Sequence, residues 1–263
     1  MLTESKLAAR QIDFIAPDAV QDFPVAREFV WEVRTGGEHF VIIGEGEPSG
    51  VVSDPWDLTY ELIWRIHRRF FDNLSGYVRL HAGCGELNEE RFLVVGDSGA
   101  GKSTLMTRLL YEGFRVDGDE MVLLRETNTI PFPRRFHLKE ASLDLLPQIK
   151  PHLKTAPFVE RKNGSKIFSF SPVGAGFGWV IEHREAKAVF FLKPNHGKRT
   201  IVEKCPKHIM VQQIMPLTFF SASADYRKIG EICRAVDHAA CFSLYIGDLD
   251  SAVAAVRDTL KAI

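Results

Sequence analysis

The sequence predicts an α/β fold with a small β-rich region at its N-terminal end, and three observations support this prediction. An apolar run at residues 91–95 leads into a glycine-rich loop, after which apolar residues recur at helical spacing. Further runs of strand length, at residues 121–124, 187–192 and 241–246, are accompanied by segments of amphipathic helical spacing. The chain has 263 residues, of which 45% are hydrophobic, so it can bury a large core.

The N-terminal region is expected to span residues 1–76, and the main domain residues 77–263. Apolar clusters between residues 11 and 43 end at polar or glycine residues, which predicts the strands of a small sheet. The segment 44–50 is dense in glycine and contains a proline, so it predicts a loop or linker.

A helix is predicted to follow this loop. Asp57 is its expected N-cap, and apolar residues recur as far as Phe71. The basic run at residues 65–69 is interpreted most simply as the solvated face of this helix. Contact with an acidic partner is the alternative.

The loop at residues 96–104 matches G-x-x-x-x-G-K-[ST] at every position. Its glycines let backbone N–H groups converge on anionic oxygens, which is how phosphate-binding loops hold nucleotides. Lys102 is expected to reach the β- and γ-phosphates, and Ser103 to ligate Mg²⁺ from the first turn of the helix. The predicted nucleotide-binding residues are Gly96, Asp97, Ser98, Gly99, Ala100, Gly101, Lys102, Ser103 and Thr104.

The segments on either side of the loop decide between two interpretations of it. The alternative to phosphate binding is a glycine-rich turn that carries Lys-Ser by coincidence. A phosphate-binding loop needs a strand before it and a helix after it. Residues 91–95 supply the strand, and Gly113 ends the helix. The sequence therefore favours nucleotide binding.

A second strand is predicted before the loop. Residues 77–83 have the pattern of a strand that ends in small residues, and residues 87–90 that of a turn leading into the next strand. His81 therefore lies on a hairpin partner of the 91–95 strand. A histidine in this place is either a hydrogen-bonded core residue or part of a site.

Three carboxylates, Asp117, Asp119 and Glu120, come directly before the strand at residues 121–124. Crowded carboxylates repel one another unless a cation neutralises them, so Mg²⁺ held together with Ser103 is an economical explanation. An acidic turn that faces water is the alternative, because Asp-Gly is a common turn dipeptide.

Together these features resemble the catalytic domain of HPr kinase/phosphorylase. They comprise a strand with His-Ala, a G-D-S-G-x-G-K-S loop, one short helix that ends in glycine, and an acidic pair directly after it. The wider group includes related kinases of peptide-modifying clusters, and ATP-dependent phosphoenolpyruvate carboxykinase has a similar P-loop core. The resemblance runs from residue 77 to the C-terminus and is strongest between His81 and Glu120.

The resemblance implies a kinase that uses ATP and Mg²⁺ and transfers phosphate to a serine-like hydroxyl of a protein, a peptide or a small molecule. Asp119 matches the general base of the family, and Glu120 matches a Mg²⁺ ligand. His81 matches the histidine that partners the base, and Lys102 is the phosphate-binding lysine.

Two other classes of function stay open. A nucleotide-binding regulatory or assembly protein would keep the loop, but it would have no use for a base beyond the γ-phosphate. A carboxykinase-like lyase is the other class, although the chain is short for it.

Four basic residues between residues 125 and 179 have two possible roles. They are either exposed loop charges or residues that steady a transferring phosphate: Arg134, Arg135, Arg161 and Lys162.

Composition argues against several other classes of protein. A net charge of -1 disfavours nucleic acid or a membrane surface as the main partner, whereas a homo-oligomer is compatible with it. The four cysteines form no C-x-x-C pair, so neither a disulfide framework nor a zinc ribbon is expected, and Cys205 and His208 are read as structural residues. Residues 1–5 lack the pattern of a signal peptide, and a cytoplasmic protein is expected.

Overall fold

The computed structural model of the protein is a mixed α/β fold. It describes residues 5–15, 28–72, 74, 76–132, 134–219 and 226–263. The sequence-based expectations for residues 1–4 and 16–27 lie outside the described residues. The boundary expected at residue 76 stays a prediction.

The helices are α1 (Lys6–Ile15), α2 (Pro55–Asp72), α3 (Lys102–Tyr111), α4 (Lys150–Leu153), α5 (Lys207–Ile214), α6 (Tyr226–Asp237) and α7 (Leu249–Lys261). The strands are β1 (Trp31–Gly36), β2 (His39–Gly44), β3 (Gly50–Val52), β4 (Val78–Leu80), β5 (Ala82–Leu87), β6 (Glu90–Val95), β7 (Arg115–Gly118), β8 (Val122–Arg125), β9 (Asn128–Pro131), β10 (Phe136–Lys139), β11 (Phe158–Glu160), β12 (Lys166–Phe170), β13 (Arg184–Glu185), β14 (Ala188–Pro194), β15 (Ile201–Lys204), β16 (Thr218–Phe219) and β17 (Ala240–Ile246). In the described part of the chain these strands form four sheets.

The first sheet is antiparallel, in the order β1-β2-β3, and α1 and α2 pack on it. The prediction of strands between residues 11 and 43 is confirmed for β1 and β2 but wrong for residues 11–15, which are helical. The helix buries Ala8, Gln11 and Phe14 at helical spacing. Phe14 also packs against Val159 and Ile167, which joins α1 to β11 and β12.

Helix α2 begins two residues before the predicted N-cap. The Asp54 carboxylate accepts a hydrogen bond from the backbone N–H of Trp56 at 2.7 Å, so Asp54 caps the helix and Asp57 lies in its first turn. The interpretation of the basic run as one solvated face is also wrong. Arg65 is buried and pairs with Glu47 and Glu61, whereas Arg68 is exposed.

The second sheet has six strands in the order β15-β17-β14-β6-β5-β7, with β6, β14 and β17 parallel. The third has five antiparallel strands in the order β13-β9-β8-β4-β16. The predicted strand at residues 77–83 is therefore two strands in two sheets, β4 and β5, and His81 lies at the joint between them. A small antiparallel sheet, β10-β12-β11, completes the fold.

Strand β6 separates two hydrophobic cores. Phe92 and Val94 belong to a core shared with α3 and α7, whereas Leu93 and Val95 belong to a core shared with the five-stranded sheet, α5 and α6. Because both of its faces are buried, β6 is apolar without a break from Phe92 to Val95. The loop that follows it therefore starts from a fixed position.

The C-terminal predictions largely agree with the structure. The strands predicted at residues 187–192 and 241–246 are β14 and β17, and the amphipathic segments correspond to α5, α6 and α7. Short helices also occupy the segment between Glu140 and Leu153. None of the described helices has the length and apolar character needed to cross a bilayer, and the four cysteines, all in the described chain, are free thiols.

A buried ion network joins the six-stranded and five-stranded sheets. Arg91 of β6 is fully buried, and its Nε donates to Glu86 Oε1 at 2.8 Å. Its Nη1 donates to the carbonyl oxygen of Thr129 at 2.7 Å, in β9. Asp117 of β7 accepts a hydrogen bond from Arg115 Nε at 3.2 Å and lies 3.9 Å from Arg91 Nη2.

Arg91→Met is expected to destabilise the protein strongly. The substitution removes the fully buried cation of the network and leaves the Glu86 carboxylate with the more exposed Arg115 as its main partner. Breaking a buried ion pair typically costs about 3–5 kcal/mol of the free energy of unfolding. Urea unfolding of the variant, with the exposed Arg68→Met as the matched control, measures this loss. Equal unfolding midpoints for the two variants would contradict the structural role given to the network.

Candidate functional site

The glycine-rich loop between β6 and α3 requires glycine at two positions for different reasons. A Cβ on Gly96 would lie 2.9 Å from the carbonyl oxygen of Leu192, because β14 passes close to the loop. Gly101 has a φ of 98°, in the left-handed region, and is the N-cap of α3. The first backbone N–H groups of a helix have no intrahelical acceptor, so this cap leaves them available to an anion.

Lys102 folds back over the loop. Its Nζ donates to the carbonyl oxygens of Gly96, at 2.6 Å, and of Asp97, at 3.2 Å. Burial lowers the pKa of Lys102, and the charges of Glu120 and Asp119 oppose that shift. The ammonium group is therefore electrostatically close to the acidic pair.

Asp119 is a buried carboxylate without a hydrogen-bond partner. The residue is 1% exposed, and neither of its carboxylate oxygens bonds to any described residue. Burial raises its pKa from 3.8 to about 6; the Arg134 charge opposes the shift and the Glu120 charge adds to it. The Ser103 hydroxyl is near enough to lower this pKa, although it falls short of hydrogen-bond geometry.

Glu120 is held by two basic side chains. Its Oε2 lies 3.3 Å from Arg134 Nη2, and its Oε1 lies 3.6 Å from His81 Nδ1. Burial favours the neutral acid, but Arg134, His81 and Lys102 together outweigh it and lower the pKa of Glu120. The surroundings therefore raise the pKa of Asp119 and lower the pKa of its neighbour Glu120.

His81 bonds to Glu120 rather than to Asp119. Its Nδ1 donates to the backbone carbonyl oxygen of Glu120 at 2.8 Å, and because a carbonyl only accepts, Nδ1 carries the proton. Burial lowers the pKa of His81, and the charge of Glu120 opposes this shift. The direct His81–Asp119 hydrogen bond that the resemblance implies is therefore not formed; a link through one water stays a prediction.

The three carboxylates do not form one cluster. In the pairing of β5 with β7, Cys84 pairs with Gly118 and Gly85 with Val116, so Asp117 is the extra residue of a β-bulge. Asp117 joins the Arg91 network, and the described residues contain no group of three or more His, Cys, Asp or Glu side chains able to hold a metal. The alternative of an acidic turn in water is wrong for Asp119, which is buried.

A site with only two protein ligands is still compatible with Mg²⁺. This cation keeps several waters and takes one or two protein ligands together with substrate phosphates. Ser103 and Glu120 are oxygen ligands of the kind that it prefers. Their assignment as Mg²⁺ ligands stays a prediction.

Three residues that sequence reasoning missed or underrated lie near the loop and the acidic pair. Arg134, for which the sequence left open an exposed loop charge or a phosphate contact, has a side chain only 12% exposed. Lys139 Nζ lies 3.9 Å from the position that a Cβ on Gly99 would take. His67 of α2 has its pKa lowered to about 4 by burial and by Arg134, with Glu120 opposing.

The other basic candidates lie elsewhere. Arg161 stacks on Trp56, and Lys162 Nζ donates to Asp57 Oδ2 at 2.8 Å. Arg135 Nη1 donates to the carbonyl oxygen of Asp13 at 3.0 Å. Arg135 also lines a cavity of about 650 Å³, whose described lining contains no residue of the loop or of the acidic pair.

Comparison with known proteins shows a distant structural similarity. No family model and no curated protein matches the chain. Among solved structures, an HPr(Ser) kinase/phosphatase from Coxiella burnetii is similar over 70% of this chain and 97% of that chain, with a TM-score of 0.33 and 10% sequence identity. The similarity is structural and distant, and at this level it carries no argument about activity.

Asp119→Asn is expected to change how the stability of the protein depends on pH. Because folding raises the pKa of Asp119, its contribution to stability is fully present below about pH 4 and is lost as the pH rises through about 6. A shift from 3.8 to about 6 corresponds to about 3 kcal/mol. The free energy of unfolding of wild type is therefore expected to fall by about this amount, relative to that of Asp119→Asn, as the pH rises from about 4 to 7.

Urea unfolding at pH 4, 5.5 and 7, in the presence of a chelator and without nucleotide, measures this difference. Asp144→Asn is the matched control, because the Asp144 side chain is 94% exposed. Parallel pH profiles for wild type and Asp119→Asn would contradict the burial of an ionisable Asp119.

Proposed function

We propose that this protein is an ATP-dependent phosphotransferase that transfers the γ-phosphoryl group to a serine-like hydroxyl of a protein, a peptide or a small molecule. The observation that carries the proposal is Asp119, a buried carboxylate with no hydrogen-bond partner among the described residues, next to Ser103 of the glycine-rich loop. Such a group is costly to bury, so its presence beside an anion-binding loop points to chemistry.

The residues present fit the cofactors that this function needs. The loop amides, the N-terminus of α3 and Lys102 offer donors and positive charge to a triphosphate. Ser103 and Glu120 would hold Mg²⁺. When bound, Mg²⁺–ATP supplies the phosphoryl group and a metal charge that stabilises the phosphate oxygens.

Asp119 is suited to take the proton of the acceptor hydroxyl. A pKa of about 6 leaves it ionised at neutral pH but with more proton affinity than an ordinary aspartate. Both oxygens are free of bonds to the described chain, so Asp119 has no internal partner to release before it binds a hydroxyl.

His81 acts in this proposal through Glu120. Its Nδ1 donates a hydrogen bond to the backbone carbonyl oxygen of Glu120 and lies 3.6 Å from Oε1 of the Glu120 carboxylate. These two contacts fix the orientation of the acidic pair. It is a positioning residue, in place of the direct partner of the base that the resemblance implies.

Lys102→Ala is expected to weaken Mg²⁺–ATP binding about 10- to 100-fold, because hydrogen bonds to charged groups contribute roughly 1.5–3 kcal/mol. Lys139 near Gly99 retains some positive charge at the loop, so binding is reduced rather than lost. Calorimetric titration measures the dissociation constant, with the exposed Lys261→Ala as control. An unchanged constant in a folded Lys102→Ala variant would mean that the loop does not hold the phosphates.

Two conservative variants are expected to separate the roles of the acidic pair. Asp119→Asn should keep nucleotide affinity and lower phosphoryl transfer about 10²–10⁴-fold, because the amide cannot accept the hydroxyl proton. Glu120→Gln should instead raise the Mg²⁺ concentration needed, because a metal ligand loses its charge.

The acceptor for this assay comes from incubation of the protein with labelled ATP and fractionated cell extract, followed by identification of the labelled product. Transfer by Asp119→Asn at the wild-type rate would remove Asp119 as the base. Nucleotide binding without a labelled product in any fraction would favour the regulatory or assembly protein.

A further inference from the structure

Arg134 lies just before β10, outside every motif in the sequence, yet it is one of the more buried cations of the protein. Its side chain is 12% exposed, and its Nη2 lies 3.3 Å from Glu120 Oε2. Its charge also acts on Asp119, for which it is the main influence that favours ionisation. The guanidinium group therefore contacts Glu120 and acts electrostatically on Asp119.

The contact with Glu120 does not use the donors of this guanidinium fully. Arginine and a carboxylate that pair for their own sake are often bidentate, at about 2.7–2.9 Å. The distance between Arg134 Nη2 and Glu120 Oε2 is instead 3.3 Å, and the buried Nε of Arg134 has no hydrogen-bond partner among the described residues. A buried donor without an acceptor is destabilising unless a ligand supplies the acceptor.

The position of Arg134 indicates which part of a nucleotide it would meet. In the proposed function, Lys102 and the loop amides would bind the phosphates from the side of the loop and the N-terminus of α3. Asp119, as the proposed base, must lie beyond the terminal phosphate, where the acceptor hydroxyl arrives. A cation beside Asp119 and Glu120 is therefore at the terminal-phosphate end of the site.

We infer that Arg134 recognises the terminal phosphate of the nucleotide and so makes the site prefer a triphosphate to a diphosphate. The inference rests on the proposed function. The planar guanidinium matches a phosphate with two parallel donors, which a lysine in this place would not. Arg135, the next residue, is turned to Asp13 and has no part in this recognition.

The test compares the dissociation constants of ATP and ADP, each with Mg²⁺, measured by calorimetry on the full chain. Arg134→Gln is expected to weaken ATP binding about 10- to 100-fold and ADP binding less than about 2-fold. Arg134→Lys keeps the positive charge but lacks the two parallel donors of the guanidinium, so it should give an intermediate loss of ATP affinity. Arg135→Gln, the matched control, should leave both constants unchanged.

Each outcome decides the inference. An equal loss of ATP and ADP binding, or no loss of either, would overturn it, because Arg134 would then act only on the acidic pair or on the fold. Thermal unfolding identifies a variant that does not fold. If Arg134→Gln does not fold, the ratio of the ATP and ADP dissociation constants of Arg134→Lys decides instead. If the wild-type protein binds neither nucleotide, the proposed function itself is overturned. This result differs from an unchanged ratio of the ATP and ADP dissociation constants in Arg134→Gln, which overturns only the inference about Arg134.

Discussion

The ion pair between Arg91 and Glu86 is the interaction on which the placement of the site depends. It lies fully inside the protein and connects β5, β6 and β9, and Asp117 joins it from β7. The glycine-rich loop leaves from the end of β6, and the acidic pair follows directly after β7. One buried network therefore fixes the origins of the two segments that the proposed chemistry needs to bring together.

The local parts of the fold could be predicted from the sequence because local patterns determine them. Strand β6 is apolar from Phe92 to Val95, and α3 starts at a glycine cap and ends before Gly113. The errors arose where tertiary contacts override such patterns. Residues 11–15 form a helix because Phe14 packs against β11 and β12, and Arg65 is buried because Glu47 and Glu61 neutralise it.

The candidate site shows the same division. Its loop is contiguous, so one motif contains all nine residues predicted to bind the nucleotide, whereas Arg134 and Lys139 come from a segment that only the fold brings to the loop. The partner of His81 was also beyond sequence reasoning. Asp119 and Glu120 are adjacent in the chain, and which of them faces the histidine depends on the path of the backbone after the bulge.

That bulge makes the site depend on the parity of a residue count as well as on residue types. Successive side chains of a strand point to opposite faces, so without the extra residue Asp117 the last residue of β7 would face the other side of the sheet. We expect an insertion or deletion of one residue in β7 to change the direction from which the chain enters Asp119 and Glu120. In relatives of this chain, acidic pairs are comparable only when they are aligned in phase with this bulge.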